Sequence, residues 1–405
     1  MSKTFNSFDP ATGEVVGRYP IMTSKEVASV VEQARDAADG WVKHGFSGRK
    51  KTLLAWSTYI IKNVEQIAHL ISLETGKPLS DSRLEVANTV NHIGWAARHA
   101  EEIMRTSHRA PGALMANMSA TVERSPVGVV GVIGPWNYPI FTPMGSIAYA
   151  LAAGNTVIFK PSEYTPGVGM WINESFNAIA PFSGIFTTIT GLGETGNALC
   201  TSAINKLSFT GSTRTAKLVA AACATQMTPV VLECGGKDPV IVAADAHIDR
   251  AVDATIWSAM ANAGQSCIGA ERVYVDEKVA DIFIEKAIAL ASTLKAGAPG
   301  AGNYGASTMP SQIGVITNHI KAAIKDGGKF AYGSMKSIQE PFVQPVILVD
   351  VPESSTAVRE ETFGPIIIIN RVKSMKEAIE LSNNSRYGLG ANIWSKRQGK
   401  KIASQ

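Results

Sequence analysis

The chain has 405 residues and a formal net charge of +4, and 45% of its residues are hydrophobic while 18% are charged. This composition excludes a disordered chain and suffices for the cores of two or three domains, and the scattered basic residues exclude a nucleic-acid surface. Residues 1–6 lack the apolar stretch of a signal peptide and the four cysteines form no CxxC pair, which favours a cytoplasmic protein.

The N-terminal quarter predicts two short strands followed by helices. The strand-like pieces lie within residues 7–22 around a turn, and Thr23-Ser24-Lys25-Glu26 is a capping box that predicts a helix start. Further helices are predicted near 48–62, 63–75 and 80–104, with Gly76-Lys77-Pro78 ending one of them. No HExxH or similar pattern occurs here, so we expect no metal site.

Residues 108–124 predict an exposed loop or hairpin. The uncharged stretch that follows, 125–159, is long enough to cross a membrane, but four prolines and two asparagines interrupt it. Buried strands and turns are therefore expected there, and no membrane partner.

From Val127 onward strands and helices alternate, which predicts an α/β fold with a parallel, Rossmann-like sheet covered on both faces. The predicted strands are 127–133, 155–160, 184–190, 206–210 and 229–233, with helices at 143–153, 166–179, after 195 and at 212–226. A second series has strands at 238–243, 272–276, 344–350, 366–370 and 387–394, with helices at 249–262, 279–294 and 374–383. The predicted domains are 1–235 and 236–405.

Cys267 is the strongest candidate for a nucleophile. It follows Gly264-Gln265-Ser266 at the end of an apolar helical run, and a cysteine on a turn bounded by glycine is accessible to substrate. A small core residue is the plain alternative, because most cysteines have that role.

Glu233 is the candidate base. It ends an apolar run and is followed by Cys234-Gly235-Gly236-Lys237, and a carboxylate at the end of a buried strand is costly unless it is solvated, paired or used. The glycines allow close approach of another backbone. The spacing to Cys267 fits one helix-containing crossover, which predicts that both side chains reach the same end of one parallel sheet.

Polar residues also follow other predicted strands, where ligands bind in such sheets. They are Trp136 and Asn137, Lys160 and Glu163, and Thr210-Gly211-Ser212. Taken alone, these residues also fit a turn cap, a solvated ion pair and a helix cap. Residues 191–196 match GxGxxG, but no acidic residue occurs from 197 to 232, so the usual dinucleotide fingerprint is rejected.

The segments Leu232-Glu233-Cys234-Gly235-Gly236-Lys237 and Gly264-Gln265-Ser266-Cys267, at this separation, resemble the two signatures of the aldehyde dehydrogenase superfamily. The resemblance implies that Cys267 attacks an aldehyde, that the adduct gives a hydride to NAD, and that Glu233 activates water to hydrolyse the thioester. It places Asn137 in the oxyanion hole with the backbone N–H of Cys267. Members that transfer the acyl group to coenzyme A generally lack the glutamate, so the hydrolytic type is expected.

The resemblance also implies the cofactor site. Lys160 and Glu163 would bind the adenosine ribose, Ser212 the pyrophosphate, Glu361 the nicotinamide ribose and Phe363 its ring. A carboxylate at the ribose favours NAD over NADP, with NADP still possible. The remaining residues implied to line the cofactor are Ile133, Pro135, Trp136, Gly193, Phe209, Gly211 and Gly235.

Two further expectations concern assembly and extent. The family's hairpin, matched near 108–124, implies a homodimer or homotetramer, and family members continue beyond Gln405, so the catalytic domain is expected to be incomplete. Two competing hypotheses are a thiol esterase or acyl-transferase that needs no NAD, and a non-catalytic relative. The sequence leaves the particular aldehyde open.

Overall fold

The computed structural model describes residues 3–404, which contacts divide into two compact units. Within the described residues, unit 1 comprises 3–7, Val15–Ile71 and Ser82–Glu233, and unit 2 comprises Phe8–Glu14, Ser72–Asp81 and 234–404. The chain therefore contributes two short N-terminal segments to unit 2. The functional division at residues 235 and 236 stays a prediction.

The N-terminal elements are a two-stranded sheet and four helices. They are β1 Thr4–Phe8, β2 Val15–Pro20, α1 Ser24–Lys43, α2 Gly45–Lys62, α3 Val64–Thr75 and α4 Leu79–Met104. The predicted capping box is confirmed, because the Thr23 side chain accepts from the Glu26 backbone and the Glu26 side chain accepts from the Thr23 backbone. The first strand begins earlier than predicted.

A short hairpin follows α4. Strands β3 (Ser107–Arg109) and β4 (Ala120–Val122) pair antiparallel, with His108 opposite Thr121. The predicted loop or hairpin at 108–124 is therefore a hairpin. At its tip Leu114 is 98% exposed, and Met115 and Met118 are about half exposed.

The main sheet of unit 1 has five parallel strands in the order β7-β6-β5-β8-β9. Its elements are β5 Val129–Ile133, α5 Phe141–Ala153, β6 Thr156–Lys160, α6 Pro166–Asn177, β7 Phe186–Thr188, α7 Gly193–Cys200, β8 Lys206–Thr210, α8 Thr213–Ala224 and β9 Val230–Glu233. Strands β6 and β7 are added on one side of β5, and β8 and β9 then follow on its other side. This order makes the carboxyl ends of β5 and β8 a topological switch point, where open α/β sheets bind ligands.

Strand β9 corrects the prediction of a buried strand before Glu233. Among residues 3–404 it pairs only with β8, at the sheet edge, and Val231 and Leu232 are 39% and 36% exposed. Its short run of apolar residues resembles the buried strands, but an edge strand has a neighbour on only one side. The Glu233 side chain is exposed, so the energetic cost of a buried carboxylate does not apply to it.

Unit 2 is built on a six-stranded sheet in the order β12-β15-β16-β11-β10-β17, parallel except for β12. The elements are β10 Asp238–Val242, α9 Ile248–Met260, β11 Ala270–Asp276, α10 Glu277–Ala291, α11 Ser311–Lys325, β12 Lys329–Tyr332, β13 Ile338–Gln339, β14 Phe342–Val343, β15 Val346–Val349, α12 Thr356–Arg359, β16 Ile366–Val372, α13 Met375–Asn383, β17 Asn392–Trp394 and α14 Gly399–Ala403. No element was predicted between 295 and 343. No helix within 3–404 is both long and apolar enough to cross a bilayer.

Candidate active site

The carboxyl edge of the unit 1 sheet brings several predicted cofactor residues into register. Ile133 at the end of β5 lies opposite Lys160 of β6 and opposite Phe209 of β8. One strand further, Glu233 pairs with Thr210, and its carbonyl accepts a hydrogen bond from Gly211 N–H at 3.1 Å. Residues distant in sequence therefore share one sheet edge, as the strand-end pattern predicts.

The turn after β5 carries Trp136 and Asn137. The Asn137 side chain is buried, with 6% of its surface exposed, and the Trp136 ring meets Tyr164 edge to face with centroids 6.5 Å apart. Tyr164 belongs to the turn after β6, so the two neighbouring strand-end turns pack together. Such packing restricts the rotamers of both turns.

Lys160 is an unusually buried cation, with 4% of its surface exposed. Its ammonium donates to the carbonyl of Pro161 at 3.0 Å. Burial lowers the pKa of Lys160, and the charge of Glu163 partly opposes that change. A buried ammonium at a sheet edge is costly without partners, and vicinal hydroxyls of a ribose are suitable acceptors.

The glycine motif at 191–196 lies beside this lysine. Helix α7 begins at Gly193, earlier than predicted, and a β-carbon on Gly196 would lie 3.5 Å from Cδ of Lys160. A β-carbon on Gly193 would meet nothing within 4 Å, so the helix start is open. The loop adjoins the proposed cofactor edge although it is not the usual fingerprint.

Ser212 is the N-cap of α8, which is the plain alternative considered from the sequence. Its hydroxyl accepts from Thr215 N–H at 3.3 Å and donates to the Thr215 hydroxyl at 3.0 Å. The N-terminus of a helix of this length also attracts anions. The pyrophosphate contact stays a prediction.

Cys267 lies in unit 2, three residues before β11, whereas Glu233 ends a strand of the other sheet. The expectation that one crossover returns both residues to the same end of one sheet is therefore wrong. The spacing fits a crossover, but the chain changes sheets between the two residues.

The loop before Cys267 has an unusual backbone. Asn262, Ala263 and Gly264 all have left-handed φ values of 53°, 58° and 70°. Two consecutive non-glycine residues in this region are strained, so the surroundings must hold them. Gln265, 2% exposed, contributes by donating to the Asn262 carbonyl at 2.9 Å and by accepting from Thr308 N–H at 2.8 Å.

The short segment 72–81 supports this loop from within unit 2. The Thr308 hydroxyl donates to the Thr75 carbonyl at 2.7 Å, and Gly305 lies directly against the carbonyl of Gly76. Thr308 thus joins the end of α3 to the Gln265 side chain. This connection explains why the segment belongs to unit 2.

Three segments meet at the amino ends of β10, β11 and β16, which are neighbouring strands. A β-carbon on Gly236 would lie 2.6 Å from the Cys267 carbonyl oxygen, and one on Gly235 would overlap the Glu361 carboxyl group. The close approach that the glycine pair predicted is therefore made by the Cys267 and Glu361 segments. Glu361 also accepts a hydrogen bond from Gly236 N–H at 3.0 Å.

Carboxylates shape the electrostatics around Cys267. Burial raises the pKa of the Cys267 thiol, and the negative charges of Glu361 and Asp238 raise it further. Burial, together with the charge of Glu271, raises the pKa of Glu361 to about 7, although Gly236 N–H and Lys237 oppose the change. The resting thiol is thus mostly protonated near neutral pH.

Glu271 was missed from the sequence. It lies in β11 with 5% of its surface exposed, and it pairs with Lys237, which is 1% exposed. The available signal was a pair of charged residues, Glu271 and Arg272, within a fully buried strand that begins three residues after Cys267. Within 3–404, no group of three or more His, Cys, Asp and Glu residues is arranged to hold a metal ion.

Unit 1 has a doubly wound sheet with polar residues at its switch point, and unit 2 carries a cysteine on a constrained loop. Together these features define a two-unit α/β enzyme of the dehydrogenase class.

Comparisons with known proteins identify the family. The model of the aldehyde dehydrogenase family matches residues 1–404. Glutarate-semialdehyde dehydrogenase of Pseudomonas putida is 35% identical over 400 residues, which are 97% of this chain and 82% of that protein. D-glyceraldehyde dehydrogenase (NADP(+)) of Thermoplasma acidophilum is 31% identical over 408 residues, with 97% and 81% covered.

A solved structure supports the same conclusion. The NAD+ complex of an aldehyde dehydrogenase from Bacillus cereus superposes with a TM-score of 0.94 at 30% identity, covering 99% of this chain and 83% of that one. The chain belongs to the aldehyde dehydrogenase family and is an oxidoreductase that acts on aldehydes.

Proposed function

We propose that the protein oxidises an aldehyde to a carboxylic acid with NAD+, or alternatively NADP+, through a thioester on Cys267. The observation that carries the proposal is the register of the unit 1 sheet. Ile133, Lys160 and Phe209 share one carboxyl edge with Thr210 and Glu233, at the switch point where this sheet type binds nucleotides.

The residues at that edge suit a dinucleotide. Lys160 offers a buried donor for ribose hydroxyls, Glu163 offers an acceptor, and the N-terminus of α8 at Ser212 suits the pyrophosphate. Glu361 and Phe363 would contact the nicotinamide half. The other residues proposed to line the cofactor are Ile133, Pro135, Trp136, Gly193, Phe209, Gly211 and Gly235.

The chemistry begins at the thiol. The Cys267 thiol first loses its proton to solvent. The thiolate then forms a bond to the aldehyde carbon, and the Asn137 amide with the backbone N–H of Cys267 stabilises the resulting oxyanion. Bound NAD+ or NADP+ supplies the acceptor for the hydride that leaves this adduct. Glu233 then accepts a proton from water, whose oxygen attacks the thioester carbon and releases the acid and the Cys267 sulfur.

Assembly and compartment are part of the same proposal. The exposed leucine and methionines at the tip of the β3–β4 hairpin support a homodimer or homotetramer, because such side chains are commonly covered by a partner. All four cysteines are free, which supports a reducing, cytoplasmic setting.

The test is an assay of NADH and NADPH formation with a panel of aldehydes that includes glutarate semialdehyde and D-glyceraldehyde. We expect activity with the intact chain and none with Cys267→Ala. Cys234→Ala is the matched control, because both cysteines are partly buried and only Cys267 is proposed to react.

Two outcomes would contradict the proposal. Reduced cofactor formed by Cys267→Ala would remove the thiol from the mechanism. Ester hydrolysis by Cys267, without any aldehyde-dependent NADH or NADPH formation, would instead select the thiol esterase hypothesis.

A further inference from the structure

Glu271 accepts four hydrogen bonds from three donors although its side chain is almost inaccessible to solvent. Its carboxylate accepts from the Lys237 ammonium, from Thr362 N–H at 2.8 and 3.0 Å, and from Phe363 N–H at 2.9 Å. A buried ion pair is retained without large cost only when further hydrogen bonds satisfy it. The backbone of residues 362 and 363 supplies those bonds.

The N–H, carbonyl and hydroxyl groups of Thr362 all make hydrogen bonds. Its carbonyl accepts from Gln312 at 2.6 Å, and its hydroxyl lies 3.2 Å from the Lys237 ammonium and 3.0 Å from Nδ1 of His319. Because an ammonium only donates, the hydroxyl accepts from Lys237, and it makes a second hydrogen bond with the His319 ring. Burial and the charge of Lys237 lower the pKa of His319.

The residues on either side of Thr362 are thereby oriented. Glu361 directs its carboxylate to Gly236 N–H, and Phe363 has a left-handed backbone with φ 52°. That conformation is costly for a residue with a β-carbon and persists only where the surroundings enforce it. The hydrogen bond from Phe363 N–H to Glu271 is such a restraint.

We propose that Glu271 is a positioning residue for the nicotinamide half of the cofactor, acting through Thr362 and Phe363 to fix the Glu361 and Phe363 side chains. The inference rests on the proposed function, which assigns those two side chains to the nicotinamide ribose and ring. Glu271 itself touches neither cofactor nor substrate.

The first test measures cofactor binding by calorimetry in the Cys267→Ala background, where no turnover occurs. Glu271→Gln should weaken NAD+ binding by about ten- to a hundredfold, the loss expected when charge-assisted hydrogen bonds are removed. Glu271→Asp, which keeps the charge, should recover part of the affinity. Hydrogen exchange at the amides of Thr362 and Phe363 should accelerate in Glu271→Gln.

The matched control is Glu353→Gln. Glu353 is a half-buried carboxylate of the same unit, and it accepts instead from Tyr274 and Asn370 at 2.9 and 3.1 Å. It should retain the affinity of the parent and the exchange rates at residues 362 and 363.

A double variant separates the loss of cofactor binding from a loss of stability. Glu271→Gln alone leaves the Lys237 ammonium buried without its counter-ion, whereas Lys237→Met combined with Glu271→Gln removes both charges. The double variant should regain the melting temperature of the parent and still bind NAD+ weakly.

The inference fails if the folded variants bind NAD+ as the parent does, or if Glu353→Gln loses as much affinity as Glu271→Gln, since that would indicate general damage. A parent chain that binds neither NAD+ nor NADP+ would instead overturn the proposed function, and the inference with it. Cofactor binding by the parent protein therefore distinguishes the two failures.

Discussion

The Glu361 carboxylate accepts a hydrogen bond from the backbone N–H of Gly236 at 3.0 Å. Gly236 in turn lies against the carbonyl oxygen of Cys267, at a distance that leaves no room for a β-carbon. One acidic side chain therefore sits at the junction of the segments that precede β10, β11 and β16. Its charge raises the pKa of the Cys267 thiol, and its carboxylate also holds the Gly236 backbone.

The first prediction concerns the reactivity of Cys267. Glu361→Gln removes a negative charge that raises the pKa of the thiol, so the thiolate should become more populated. We expect the pH profile of iodoacetamide alkylation to move to lower pH, with the largest gain in rate above the Glu361 pKa of about 7, where the native carboxylate is ionised.

The control for that prediction is Glu353→Gln, which removes a carboxylate that bonds Tyr274 and Asn370 rather than the Gly236 backbone beside Cys267. An unchanged profile for Glu361→Gln, or one moved to higher pH, would show that the carboxylate does not oppose ionisation of the thiol.

The second prediction separates the two halves of the reaction. Glu233→Gln removes the proposed base for water but leaves Cys267 and the cofactor residues intact. In a stopped-flow experiment we expect a burst of about one NADH per Cys267, followed by a stall at the thioester. Glu174→Gln, an exposed carboxylate on α6, should turn over normally. Sustained turnover by Glu233→Gln at the native rate would eliminate this role.

The third prediction addresses cofactor choice. The Glu163 carboxylate follows β6 beside Lys160 and would repel a 2′-phosphate. Glu163→Gln should shift the ratio of kcat/KM for NADP+ and NAD+ toward NADP+ by about tenfold, an effect that weakens with added salt. A ratio equal to that of the parent enzyme would show that this carboxylate does not select the cofactor.

Much of the fold follows from local patterns. Apolar runs such as those of β5 and β6 are buried strands flanked by helices, and Gly76 ends α3 as its position predicts. Strand β9 has the same composition but lies at an edge, because burial depends on neighbours that the run itself does not encode. Helix α11 was not predicted, although Ile313, Ile316 and Ile320 recur at helical spacing and are buried.

The candidate residues could be predicted where a reactive side chain and its glycine or proline neighbours occur in one short segment. Glu233, Asn137 and Cys267 each stand out beside glycine or proline, and their roles stay predictions. Glu271 could not be found in this way, because its importance arises from Lys237, Thr362 and Phe363, which are 34, 91 and 92 residues away. Contacts over such separations are set by sheet order and leave no local pattern.

The hydrogen bond between the Thr308 hydroxyl and the Thr75 carbonyl limits how this protein can be divided or recombined. A fragment that starts at residue 234 would lack the peptide groups of 72–81 that brace the turn before α11. A chimaera that exchanges the C-terminal half with that of another parent should therefore carry 72–81 from the same parent. During synthesis, the Thr75 carbonyl can form this hydrogen bond only after more than two hundred further residues, up to Thr308, have been added.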